Sequence, residues 1–178
     1  MLVEVGELKV KRGNRVEFDR RETWPQLDAG GESIPLTEPV RVVGEITNTG
    51  KFLYLQGKAY TTVRLRCCRC LEPYTWPLEV SVEEEYCTPN VFASLPEDDE
   101  ARDEVRVYEG DSIDIAPAVR EAFILALPMK WLCREECLGL CPVCGQNLNE
   151  RDCNCRVEEI DPRMAVLAEL LSPERREV

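Results

Sequence analysis

CREECLGLCPVCGQNLNERDCNC, residues 133–155, holds six of the chain's ten cysteines in the spacing C-x3-C-x3-C-x2-C-x8-C-x-C. Cys141-Pro142-Val143-Cys144-Gly145 reads as a knuckle, a tight turn that aims two thiolates at one ion. Gly145 suits it, because the residue after the second ligand needs backbone freedom. Cys133 and Cys137 are four apart and share a face on a last helical turn. A turn at Gly139-Leu140 then folds that face back onto the knuckle. Four thiolates about 2.3 Å from a d¹⁰ ion make a closed tetrahedral site, which is structural and not catalytic. The spacing therefore predicts zinc held by Cys133, Cys137, Cys141 and Cys144, with Cys153 and Cys155 as reserve or replacement ligands.

Two other readings compete. Disulfides need an oxidising compartment, and the first residues, MLVEVGELKVKRG, lack the apolar core and cleavage site of an export signal. A redox dithiol could use Cys141 and Cys144, but it needs no cluster of four to six sulfurs. The balance favours metal and a cytoplasmic protein. Zinc leads, and a single iron in the same four-sulfur cage is the lesser option.

The 178 residues suffice for one domain with a real core or two small ones. No run approaches the roughly 18 apolar residues of a membrane span. Histidine is absent, which removes Ser–His and Cys–His nucleophilic pairs and mixed Cys/His metal sites. No G-x-x-x-x-G-K-[ST] loop or G-x-G-x-x-G turn appears either. These absences predict a protein that is not an enzyme. Net charge is −12, and residues 79–111 hold 12 of the 34 acids and 2 of the 22 bases. That acidic belt suits a basic protein partner. Arg64, Arg66 and Arg69 form a basic patch that reads either as a phosphate-binding site or as a solvated strand face.

In chain order, residues 1–20 read as β structure, with a bulge at Gly6 and a return strand through Val16 and Phe18. Residues 22–39, with three prolines and Gly30-Gly31, read as a long connection anchored by Trp24 and Leu27. Val40–Thr47, Phe52–Gln56, Tyr60–Cys67 and the alternation Trp76, Leu78, Val80, Val82 read as strands. Cys67-Cys68-Arg69-Cys70 is a second C-x2-C. It reads either as small buried residues or, with Cys68 and Cys87 as further candidates, as part of a second metal site. Residues 88–104 read as a linker. Asp111 or Asp114 caps a helix with Pro117 in its first turn and an apolar stripe of Val119, Ala122, Phe123, Ala126 and Leu127. Asp161-Pro162 opens a last helix carrying Met164, Leu167, Leu170 and Leu171.

The expected fold is α+β: an antiparallel, barrel-like β region, then a helix, the cysteine zinc knuckle and a C-terminal helix. The expected division is a β-rich domain at 1–110 with an acidic loop, and a region at 111–178 holding the helix, knuckle and terminal helix, packed on it.

Cys67-x-x-Cys70-Leu71-Glu72-Pro73, then Ile113-Asp114-Ile115, Arg120-Glu121 and Ala126-Leu127-Pro128, give a recurring order of motifs. Leu132-Cys133, Cys137-Leu138-Gly139-Leu140-Cys141-Pro142-Val143-Cys144-Gly145, Asn147-Leu148-Asn149 and Asp161-Pro162-Arg163 continue it. From about Val40 to Leu171 the chain resembles the YceD family, bacterial proteins linked to accumulation of the large-subunit (23S) ribosomal RNA. The resemblance implies a cytoplasmic, non-enzymatic role in ribosome biogenesis or ribosomal RNA processing. It implies a ribosomal large-subunit protein or pre-ribosomal particle as partner. Direct RNA contact and a thiol or metal redox role on the C-x2-C motifs stand as the other readings.

Overall fold

Alternation of apolar and polar residues over long segments builds the main sheet. The computed structural model describes residues 1–96 and 101–155. Its strands are β1 (Leu2–Glu4), β2 (Arg15–Glu22), β3 (Gln26–Ala29), β4 (Glu32–Pro35), β5 (Val40–Asn48), β6 (Leu53–Arg66), β7 (Pro73–Cys87), β8 (Val105–Val107) and β9 (Ser112–Asp114). Helices α1 (Pro89–Ala93), α2 (Ala101–Glu104) and α3 (Ala116–Ala126) complete the regular structure of the described residues.

In β6, Leu53, Leu55, Ala59, Thr61, Val63 and Leu65 are buried while the residues between them face outward. Val40, Val42 and Ile46 of β5 and Leu78, Val80 and Val82 of β7 join them in the core. Burying each such large aliphatic side chain contributes about 1.5–3 kcal/mol. The expected strands Phe52–Gln56 and Tyr60–Cys67 are one continuous strand, β6. Gly57 sits opposite Gly44 of β5 instead of breaking the ladder. A Cβ on Gly44 would meet the Gln56 carbonyl oxygen at 2.4 Å, so the two backbones approach as closely as they do only because that position carries no side chain. Glu83, Glu84 and Glu85 likewise extend β7 to Cys87, placing the start of the acidic belt on a strand.

The sheet runs β2-β5-β6-β7-β8. All its pairs are antiparallel except β7 with β8. Closure into a barrel requires the edge strands to pair. Among the described residues β2 pairs with β5 alone in this sheet and the three-residue β8 with β7 alone, so the sheet is open. The α+β class stands and the barrel does not.

Two further corrections concern the N-terminal third. Gly6–Val10 is a 3-10 turn, closed by the Leu8 N–H donating to the Val5 carbonyl at 3.0 Å. The buried apolar residues Val3, Val5 and Leu8 change spacing there from two to three, which a strand cannot satisfy. β1 consequently pairs with β9, and β2 with β5, in place of the expected return hairpin. The long connection contains the hairpin β3–β4, turned by Gly30 and Gly31 at φ of 58° and 88°. Two consecutive positive φ values are what a two-residue hairpin turn demands. Trp24 and Leu27 are buried, as anchors should be.

Helix α3 begins where the Asp114 carboxylate accepts from the Ala116 N–H at 3.0 Å, with Pro117 in the first turn. It buries Ala118, Val119 and Phe123 and packs on β7 and β3. Arg106 of β8 ties the same region together, with Nε 3.1 Å from Glu84 and its other end on Glu121. The expected linker holds α1 and α2, the crossover that parallel strands need. Glu97–Glu100 and the helix expected at Asp161–Leu171 lie outside the described residues.

The described residues pack as two compact units, one of Met1–Cys67 with Glu72–Cys133, the other of Cys68–Leu71 with residues 134–155. Helix α3 belongs to the first of these units. No helix of the described residues is long and apolar enough to cross a membrane.

Candidate metal centres

Eight of the ten cysteines fall into two groups of four. The sulfurs of Cys67, Cys70, Cys133 and Cys137 all lie within 4.8 Å of one another, and so do those of Cys141, Cys144, Cys153 and Cys155. With metal–sulfur bonds of about 2.3 Å, the edges of a sulfur tetrahedron measure about 3.8 Å, so both groups are near the size one ion requires. The four residues singled out by spacing are thus divided: Cys133 and Cys137 sit with Cys67 and Cys70, while Cys141 and Cys144 sit with Cys153 and Cys155.

The first group starts where β6 ends. The Cys67 N–H donates to the Glu72 carbonyl at 2.9 Å, closing a turn in which Leu71 takes φ 62°. Cys67, Cys70 and Cys137 are buried and Cys133 is exposed. The Cys137 N–H donates to the Arg134 carbonyl at 3.1 Å, and the Asn149 amide donates to the Cys137 sulfur at 3.3 Å. Arg69 takes up the loop: its guanidinium donates to the carbonyls of Cys137 at 2.9 Å and Glu135 at 3.4 Å. Its own carbonyl accepts from the Leu140 N–H at 3.1 Å. Gly139, at φ 77°, lets that carbonyl approach, since a Cβ there would lie 3.1 Å from it.

The second group is built on the knuckle that the sequence predicts. The Gly145 N–H donates to the Cys141 carbonyl at 2.9 Å, with Gly145 at φ 74°. The Cys141 N–H donates to the Gln146 carbonyl at 2.8 Å, and a bridge joins Leu140 to Asn147. The Val143 N–H points at the Cys141 sulfur from 3.4 Å. The backbone donors of Cys144 and Val143, then the Cys153 thiol, pull the Cys141 thiol down to about 6. The Cys144 sulfur and burial push Cys155 up to about 12. Four adjacent sulfurs cannot all ionise without a cation, and a bound cation replaces their protons.

The donor set fits a soft or borderline ion with tetrahedral preference: four sulfurs per group and no histidine in the chain. Cys68 is exposed and Cys87 buried, and neither joins a group. The second C-x2-C thus supplies Cys67 and Cys70 to a four-sulfur group. Spacing offered that pair but could not indicate its partners, which lie more than 60 positions downstream.

Residues 55–171 match the family described as large ribosomal RNA subunit accumulation protein YceD. The chain belongs to the YceD family. All eight clustered cysteines lie inside the span matched to YceD. An uncharacterized protein of Mycobacterium tuberculosis (strain H37Rv) is 37% identical over 108 residues, which is 61% of this chain and 50% of that protein. The uncharacterized protein YlbN of Bacillus subtilis is 31% identical over 159 residues, 87% of each chain. The chloroplastic large ribosomal RNA subunit accumulation protein YCED homolog 1 of Arabidopsis thaliana is 28% identical over 155 residues, 74% of this chain and 48% of that one. The chain spans about half the length of the mycobacterial relative. No solved structure matches it.

Proposed function

We propose that this chain is a non-enzymatic, zinc-binding factor of ribosome biogenesis that supports accumulation or processing of the large-subunit (23S) ribosomal RNA. The observation that carries this reading is the family match over residues 55–171. The zinc component is supported by the two four-sulfur groups. One ion is assigned to Cys133 and Cys137 with Cys67 and Cys70, the other to Cys141 and Cys144 with Cys153 and Cys155. When bound, each ion supplies a closed cross-link between chain segments, and the residues position it. A redox role would use the low-lying Cys141 thiol against Cys144. A lowered thiol is equally what a metal ligand needs, and two complete sets of four favour metal over a dithiol.

The partner this reading names is a large-subunit protein or a pre-ribosomal particle in the cytoplasm. A cleft of about 640 Å³ lined by Glu83, Glu84, Glu85, Glu104 and Glu121 supports a basic protein partner. Its one lining cation, Arg106, is already held by Glu84 and Glu121.

The test is removal of the gene and measurement of large-subunit RNA relative to small-subunit RNA. The expected result is a selective fall in the large-subunit RNA, restored by the intact chain. An unchanged ratio would overturn the assignment.

A further inference from the structure

We propose that one end of the outward face of the five-stranded sheet, centred on Tyr60, is a docking surface for single-stranded RNA. The inference rests on the ribosomal reading for the choice of RNA as the polyanion, and on the sheet register for everything else.

The register sorts this face by charge. One row across the sheet reads Arg21, Arg41, Tyr60, Glu79 on β2, β5, β6 and β7. Four residues along, the corresponding row reads Glu17, Glu45, Gln56, Glu83. Beyond Tyr60, in the direction away from that acidic row, β6 adds Arg64 and Arg66 to the same face. A chain of net charge −12 thus gathers cations at one end of one face and acids at the other.

The cations there are not all spent. Arg41 is paired with Asp19 at 2.7 Å and Lys58 with Glu79 at 2.9 Å. Arg21, Arg64 and Arg66 are exposed and make no ion pair among the described residues. A hollow of about 540 Å³ opens at Tyr60, lined also by Pro39, Pro77, Arg21, Arg41 and Glu79, with Arg64 and Arg66 farther along β6 on the same face. Glu38 also lines it, its carboxylate accepting from the Thr62 hydroxyl at 3.0 Å. An aromatic ring and two prolines beside exposed guanidiniums suit a base stacked on Tyr60 with its phosphates on the arginines. Single strands offer such bases, whereas a duplex keeps them stacked inside. The acidic row repels the strand and confines it to the basic end. Arg69, the third member of the patch seen in the sequence, is committed to the carbonyls of Glu135 and Cys137 and takes no part.

The experiment is fluorescence anisotropy of labelled decauridine with the full chain, at 50 and 200 mM salt. Three phosphate contacts predict a fall in affinity of about twentyfold between the two. Arg64→Gln with Arg66→Gln should flatten that salt dependence, leaving about a 2.6-fold fall if two of the three contacts are lost. Tyr60→Ala should weaken binding about tenfold at either salt, and Tyr60→Phe should restore it, since stacking needs the ring and not the hydroxyl. Unchanged zinc content and unfolding midpoint establish that each variant is folded. No binding by the intact chain at 50 mM salt, equal binding by the variants, or equal preference for a duplex would each overturn the proposal. If the gene's removal still depletes large-subunit RNA in that case, the ribosomal role stands and acts through another surface, such as the acidic cleft toward a basic protein.

Discussion

Tyr86 shows how a single buried group sets a measurable property. Its side chain is 2% exposed, and its hydroxyl has no hydrogen-bond partner among the described residues. Burial, with Glu84 nearby, holds the phenol well above its usual range. A group whose folded pKa is raised contributes stability that is complete below its unfolded value of about 10 and lost as pH rises beyond it. Tyr86→Phe removes both the unpaired hydroxyl and that alkaline loss. We expect the variant to be as stable as the parent or about 1 kcal/mol more stable at neutral pH, with a smaller decline between pH 9 and 11. Urea titrations at the two pH values would check it, and a loss of stability at neutral pH would mean that the hydroxyl is satisfied. At this scale the sequence was a partial guide. Alternation placed Leu78, Val80 and Val82 in the core, but the strand was expected to end at Val82, so Tyr86 was not assigned to it. The reason is physical: three consecutive acids show no alternation, whereas in the strand Glu83 and Glu85 lie on the outward face and Glu84 is held by Arg106.

Among elements, the pairing of β5 with β6 depends on the glycine contact. Gly44→Ala would drive a Cβ to 2.4 Å from the Gln56 carbonyl oxygen and 2.6 Å from the Gly57 Cα, both backbone atoms that cannot swing aside. Such overpacking costs about 2–3 kcal/mol. Gly30→Ala, at φ 58° with nothing within 4 Å, costs the left-handed backbone penalty alone, about 1 kcal/mol. Denaturant midpoints of the two variants should differ in that order, and a smaller effect at Gly44 would mean the strands can separate there. The segments of β5, β6 and β7 were legible because their apolar residues alternate over many positions. The hairpin β3–β4 was not, since three prolines masked the Gly30-Gly31 turn. Neither was the open sheet: closure depends on which distant edges meet, and no local pattern records that.

For the whole molecule the distribution of sulfur decides most. We expect two zinc ions per chain, and Cys141→Ser with Cys144→Ser to leave one. Cys67→Ser with Cys70→Ser should likewise lower the content from two to one, whereas a single site on Cys133, Cys137, Cys141 and Cys144 would hold one ion with or without Cys67 and Cys70. Metal analysis of protein purified without added zinc distinguishes these results. Spacing grouped Cys133, Cys137, Cys141 and Cys144 by nearness in sequence, and folding divides them between two four-sulfur groups. That regrouping has a consequence in time. The Cys141–Cys155 set spans 15 residues and is complete as soon as that stretch has been synthesised. The other set needs Cys133 to find Cys67 across a much longer loop, an added closure cost of about 1.8 kcal/mol over the Cys144–Cys153 loop if both start as flexible chain. During synthesis Cys67 and Cys70 therefore wait, as reduced thiols, more than 60 residues for Cys133 and Cys137, whereas Cys144 waits only nine for Cys153; on the two-ion reading the distant set is the one left open to oxidation for longer.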